Sequence, residues 1–371
     1  MNRSEFLRIS GVTIVVASAG TYLLSDKTNF LRSDFEDDSI VNFSFQPGEK
    51  EILYLASLAP SGHNTQPWLV HYIEPYHWII GNDKSKWLPA VDPSQRETVL
   101  SIGAFIQNLE FAANYTGYTC EFKLLAATNQ DTDLLEVRLQ KTAGVPNYDT
   151  QKLLKRRTVR SGYLTATLKK EDSAYLLSGE NDYTHFIPNG SKEYKWLNEQ
   201  TIEANRIQAY RNAAQQELSE WIRFSSREAE KHCDGLTTAG MELDGIAGWY
   251  LRNFYKQKDV MKNKFREQGI DKVKKQVSQS AGWLIITSKD NSVETLIETG
   301  KRFERIFLKV RDRNVAIHPM TQILEEGKTQ KQVSASIGLS DEIQFILRLG
   351  YLKNYPDPVT LRRPVNLFVI T

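Results

Sequence analysis

Two cysteines in 371 residues, Cys120 and Cys233, are too few and too far apart to make a disulfide framework, so buried free thiols are the simpler reading. Charge of one sign is also missing. Lys and Arg exceed Asp and Glu by only two, and basic and aromatic residues form no stripe, which leaves no electrostatic case for nucleic acid. The six histidines are His63, His71, His77, His185, His232 and His318, and none stands at helical ligand spacing with a carboxylate partner. His232-Cys233-Asp234 is no better, because three adjacent side chains cannot comfortably face one ion. No metal is therefore expected. Gly-x-Ser-x-Gly, Gly-x-Gly-x-x-Gly and a phosphate-binding Walker loop are all absent, which removes the hydrolase elbow, the dinucleotide fingerprint and the nucleotide triphosphatases. What remains is a chain with 40% apolar residues, ample for a core in one large domain or two ordinary ones.

Long hydrophobic runs are scarce too. The one clear case is Ile9–Leu24, preceded by Arg3 and Arg8 and holding Ala17-Ser18-Ala19. A basic flank, a short apolar run and small residues make a secretion signal or anchor over residues 1–25. Sixteen residues fall short of the ~20 of a spanning helix. The segment Asn2–Arg8 is similar to a twin-arginine signal with Ser4 in place of the second arginine. A polar linker would follow over 26–48. The chain is thus expected to be exported or held at the periplasmic side of a bacterial inner membrane, touching lipid through residues 9–24; without that signal it would be cytoplasmic.

The most specific stretch is Ala59-Pro60-Ser61-Gly62-His63-Asn64-Thr65-Gln66-Pro67-Trp68. Pro60, Gly62 and Pro67 fix an irregular backbone around short polar side chains, at the end of a helix expected over Glu51–Ala59. Such a turn suits a planar ligand rich in heteroatoms. A second motif, Arg156-Arg157-Thr158-Val159-Arg160, alternates guanidinium and hydroxyl donors as a phosphate grip would. Between and after these come strands near Trp68–Ile80, Glu121–Ala127, Leu134–Gln140 and Trp283–Thr287. Helices are expected from Asp92 to Tyr115, over Lys195–Lys231 and over Val293–Arg313. Gly103 to Gly117 and Gly300 to Asn314 both span fourteen residues from a small residue to one that tolerates left-handed backbone. Near the C-terminus, Ile346–Leu349 reads locally as a helix end capped by Gly350.

These motifs resemble the nitroreductase-like FMN enzymes, in their single-chain, duplicated, Acg-like branch. The likeness covers roughly residues 50–371 and includes the Asp92-Pro93…Arg96-Glu97 box, Leu349-Gly350-Tyr351 and Leu361-Arg362-Arg363-Pro364. It implies an α+β, three-layer fold of two pseudo-symmetric halves, 49–150 and 151–371, with antiparallel-dominated sheets flanked by helices and a lid over 233–250. It also implies FMN as cofactor. Ser61, Gly62, Asn64, Gln66 and Gly350 would lie along the flavin ring, while Arg156, Thr158, Arg160, Arg362 and Arg363 would hold its phosphate end. No acid or base side chain is required, so no catalytic residue is named. The loop stands only in the first half and the arginine motif only in the second, so one monomer should complete one flavin site. The expected reaction is ping-pong transfer from a small reduced donor through FMN to an acceptor such as a nitro compound or quinone. The alternative is a protein that binds or sequesters FMN beneath the lid without turnover.

Overall fold

A computed structural model of the chain describes residues 45–142, 148–243 and 245–371. The signal or anchor expected over 1–25, and nearly all of the linker, lie outside the described residues. No described helix is long and apolar enough to cross a membrane.

The principal helices are α1 (Glu49–Ser57), α2 (Arg96–Tyr115), α3 (Lys170–Leu177), α4 (Lys192–Tyr210), α5 (Asn212–Trp221), α6 (Ser226–His232), α7 (Gly245–Phe254), α8 (Asn263–Val277), α9 (Val293–Lys309) and α10 (Gly327–Ile337). Eleven strands accompany them among the described residues. β1 (Trp68–Glu74), β2 (His77–Asn82), β3 (Tyr118–Leu124), β4 (Asp133–Lys141) and β11 (Val369–Ile370) form one sheet in the order β11-β1-β2-β4-β3. β5 (Thr184–Pro188), β8 (Gly282–Ser288), β9 (Val315–Pro319) and β10 (Glu342–Tyr351) form a second, in the order β5-β8-β10-β9. The two-residue strands β6 (Ile222–Arg223) and β7 (Leu236–Thr237) pair in parallel, as β1 and β11 do; the other pairings are antiparallel. The protein is α+β.

Both sheets carry the same connectivity. Two strands pair, a long helix follows, and the next two strands return so that the last lies inside the third. β1-β2-α2-β3-β4 therefore repeats as β5-β8-α9-β9-β10. The difference lies in the first link. β1 and β2 are joined by Pro75 and Tyr76, whereas β5 and β8 are separated by the segment that carries α4 to α8. Extra helices cover the outer face of the second sheet, so all seven residues of β8 are buried. β3 is capped on one face only and alternates between half-buried and exposed residues over Tyr118–Phe122.

α2 and α9 cross where Gly103 meets Gly300. A Cβ on Gly103 would lie 2.3 Å from the Ile297 carbonyl oxygen, and one on Gly300 would lie 2.1 Å from that of Leu100. These contacts mirror each other across the crossing. A left-handed residue closes each segment: Gly117 (φ 86°) just after α2, and Asn314 (φ 54°) after the 3-10 turn Val310–Arg313 that extends α9.

Two local expectations fail. The helix expected over Lys195–Lys231 breaks at Arg211, whose backbone is extended, and again at β6. Arg211 donates to the Ala90 carbonyl and to Glu326, so tertiary bonds fix the break. Gly350 caps no helix. It lies in β10 opposite Ala316, and a Cβ there would come within 3.1 Å of both the Ala281 nitrogen and the Tyr163 ring, so it is a site of close packing.

Candidate functional site

After α1 the chain enters the Pro60–Pro67 loop, where His63, Asn64 and Gln66 all take left-handed backbone (φ 47°, 56° and 56°). Three such non-glycine residues in four positions are costly and persist only where surroundings hold them. The Gln66 amide donates to Ser61 Oγ at 2.9 Å. Asn64 Nδ2 donates to the carbonyls of Gly235 and Leu361, and its Oδ1 accepts from Arg362 Nη1. Gln66 Nε2 donates to the Cys233 carbonyl, while its Oε1 accepts from the Arg363 amide. Both side chains are buried and spent on the protein. They brace the loop against two segments some 170 and 300 residues away.

The arginines divide by partner. Arg156 donates through Nε and Nη2 to the Leu58 carbonyl (3.2 and 2.6 Å), pairs with buried Glu304 at 3.4 Å and lies over the Phe307 ring. Arg362 Nη2 donates to the carbonyls of Leu58 and Ala59 (3.0 and 2.9 Å). Together they satisfy the carbonyls that follow α1, where the helix dipole favours cations. Arg363 is tied to the Gln66 and Trp68 carbonyls and lies 3.5 Å from Asp83. Arg160 differs, being half-buried, with Nε donating to the Gly240 carbonyl (3.0 Å) and Nη1 meeting His318 Nε2 (2.8 Å).

Ser61, His63, Asn64, Arg156, Thr158, Arg160 and Arg362 line one cavity of about 60 Å³, closed by Gly235–Thr237 and Gly240. Of the ten residues expected in a site, it gathers Ser61, Asn64, Arg156, Thr158, Arg160 and Arg362. Gly62 faces Leu88 and Glu97 instead, and Gln66, Gly350 and Arg363 do not line it. A second cavity of about 80 Å³, walled by Asn205, Gln215, Phe265 and Arg266, meets the first at His63. The largest cavity among those found, about 480 Å³ between β3, β4 and the start of α9, shares no residue with this cluster; two of its three cations, Lys301 and Arg302, are paired with Glu110 and Glu180.

Three guanidiniums (Arg156, Arg160 and Arg362) line the cavity, with Glu304 beside Arg156 and Glu242 on the Arg160 amide, which leaves a surplus of one positive charge. Burial pulls the Arg156 and Arg160 pKa values down. Burial, then the Arg160 charge, lowers His63 to about 4. His318 is held well below the usual range by burial and then by Arg160, Arg348 and Lys272. Both imidazoles are neutral at pH 7. No described group of three or more His, Cys, Asp or Glu could hold a metal ion.

The chain is 21% identical over 338 residues to PigM of a Serratia species, covering 87% of this chain and 93% of that protein. It is 25% identical over 329 residues to Acg of Mycobacterium tuberculosis, covering 85% and 93%. Both relatives are named as NAD(P)H nitroreductases. The chain is nitroreductase-like. No family model matches it. Among solved structures, a nitroreductase from Anabaena variabilis aligns over 88% of this nitroreductase-like chain and 94% of its own, at 12% identity and a TM-score of 0.35. The FMN-dependent nitroreductase NfnB of Mycobacterium smegmatis aligns over 56% and 92%, at 12% identity and a TM-score of 0.34.

Sequence motifs did not point to three residues that hold this cluster. Glu304 sits on a helix face like any other acid. His318 is a lone histidine in a strand, with no local signal. Glu242 lies in the 233–250 segment, where it accepts from the Arg160 amide (2.9 Å), Arg157 and Ser161. Only its position, in a glycine-rich stretch already singled out, could have drawn attention to it.

Proposed function

We propose that this protein is an FMN-dependent oxidoreductase of nitroreductase type, passing electrons from a reduced nicotinamide donor through FMN to a small acceptor such as a nitro compound or quinone. One observation carries the reading: three guanidiniums, Arg156, Arg160 and Arg362, converge on a cavity that Ser61, His63, Asn64 and Thr158 also line, with one positive charge in surplus. A surplus of positive charge at a cavity calls for an anion, and a phosphate monoester supplies it. Arg160 would hold that phosphate, with the Ser61 and Thr158 hydroxyls beside it. Bound there, FMN would supply the hydride and electron chemistry itself.

The donor set fits the phosphate end. The volume does not yet fit the ring, since small-molecule sites usually measure roughly 300–1,000 Å³, against the 60 and 80 Å³ found on either side of His63. Loading therefore requires outward movement of the segment around Gly235–Gly240. That tight closure favours one alternative, a non-catalytic FMN-binding protein with residues 233–250 as its lid. The repeated strand order supports a duplication in which residues 49–150 and 151–371 form one composite site in a monomer, with export or membrane anchoring through the first 25 residues as part of the same proposal.

Anaerobic addition of NADPH to the yellow protein separates the readings. Bleaching of the flavin is expected of the enzyme, an unchanged spectrum of the storage protein, and a colourless preparation that binds no added FMN would refute both. One FMN per chain is expected; two would overturn the composite site.

A further inference from the structure

Arg160 is fixed from more directions than its neighbours. Its amide donates to Glu242, and its carbonyl accepts from Arg348 Nη2 (2.7 Å) and Gln276 Nε2 (2.9 Å). Its Nε donates to the Gly240 carbonyl and its Nη1 meets His318. Nη2 alone makes no hydrogen bond among the described residues, and the side chain lines the cavity. Arg156 and Arg362, by contrast, serve the carbonyls that follow α1. A guanidinium only donates, so His318 Nε2 must accept and the ring proton must sit on Nδ1.

His318 lies in β9 directly opposite Arg348 in β10. It is buried, and its Nδ1 has no hydrogen-bond partner. As packing it is a poor choice, since an apolar side chain of that size would fill the space without leaving an enclosed N–H unmet. The benefit that offsets this cost is the acceptor presented to Arg160.

We propose that His318 is a positioning residue for the anionic end of the ligand, with its Nε2 and the Gly240 carbonyl aiming the Arg160 guanidinium into the cavity so that Nη2 meets a phosphate oxygen. This rests on the reading of the cavity as a phosphate site. It extends that reading from the residue that touches the anion to the one that aims it.

Riboflavin, which lacks the phosphate, separates the two claims. The full chain is stripped of flavin, and FMN and riboflavin are titrated by fluorescence into the parent, His318→Asn and His318→Gln. Glutamine places an acceptor near the Nε2 position, whereas asparagine keeps a polar amide but falls short of it. His318→Asn should weaken FMN about tenfold, one charge-assisted hydrogen bond's worth, and leave riboflavin within twofold, while His318→Gln should restore most of the FMN affinity. If His318→Asn binds FMN as the parent does, or loses both ligands equally, the positioning role is wrong. If the parent itself does not prefer FMN to riboflavin, the phosphate site is wrong and this inference goes with it. Should His318→Asn fail to fold, the Gln variant decides: FMN selectivity must stay near the parental value, and its collapse would overturn the proposal.

Discussion

Arg362 gives its two terminal nitrogens to three carbonyls and to the Asn64 amide oxygen, all enclosed. Arg362→Ala leaves those acceptors to find water or go unmet, at a cost of about 2–4 kcal/mol. The fall should appear in the urea midpoint whether or not flavin is present. Asn64→Ala should likewise cost stability, because its bonds are to Gly235, Leu361 and Arg362. The loop, the arginine motif and the late arginines are legible in the sequence because each is a run of unusual side chains. That Asn64 and Gln66 act as braces is not legible, since most of their partners are backbone groups that any residue could supply. Acidity provides a second residue-scale test. His63 is neutral in the fold down to about pH 4 but protonates near 6.5 once unfolded. The unfolded chain then binds more protons, so this contribution is lost as pH falls from 6.5 toward 4. Half-buried Glu97 and Glu325, whose pKa values are raised chiefly by desolvation, act in the opposite sense and partly mask the slope. His63→Gln should therefore lose about 1–2 kcal/mol less than the parent between pH 7 and pH 5, measured from denaturant midpoints.

Among the elements, the α2–α9 crossing permits the least change. Gly300→Ala sets a methyl 2.1 Å from a backbone oxygen, and no side-chain rotation relieves it, so the helices must separate. About 3 kcal/mol or more should be lost. Gly269 in α8 makes the control, with nothing within 4 Å of a new Cβ. Gly269→Ala should raise stability by roughly 0.5–1 kcal/mol through helix propensity alone. If the two variants melt alike, the close approach is not what holds the sheets together. Both long helices are legible from spacing and their left-handed terminators. The break at Arg211 is not, because arginine is a good helix former and its anchors, Ala90 and Glu326, lie more than a hundred residues away.

For the whole molecule, the tail matters as much as either sheet. β11 pairs with β1 at Val70–Val369, and Phe368 is fully buried edge-on against Phe105. Phe368→Ala should cost about 3–5 kcal/mol, and removal of residues 364–371 should cost more. A protein that holds its flavin while sedimenting at the 42.5 kDa of one chain would fit the composite site, whereas an obligate dimer would not. The sheet order is only partly legible, because the strands are visible but their pairing depends on contacts distant in sequence.

The hydrogen bond between Asn64 and Arg362 joins residues 298 positions apart. At roughly 5–20 residues per second, a ribosome needs on the order of 15–60 s to travel from one to the other. Throughout that interval β1 to β4 can pair while the strained loop beside them has no Arg362 to hold it. Until Arg362 has been made and has left the ribosome, a nascent chain cannot assemble this pocket, so any ligand must load after that point. A chain that stops short of Arg362 lacks the pocket however well its earlier strands have formed. Occupancy of the cavity would thus report that translation had passed Arg362.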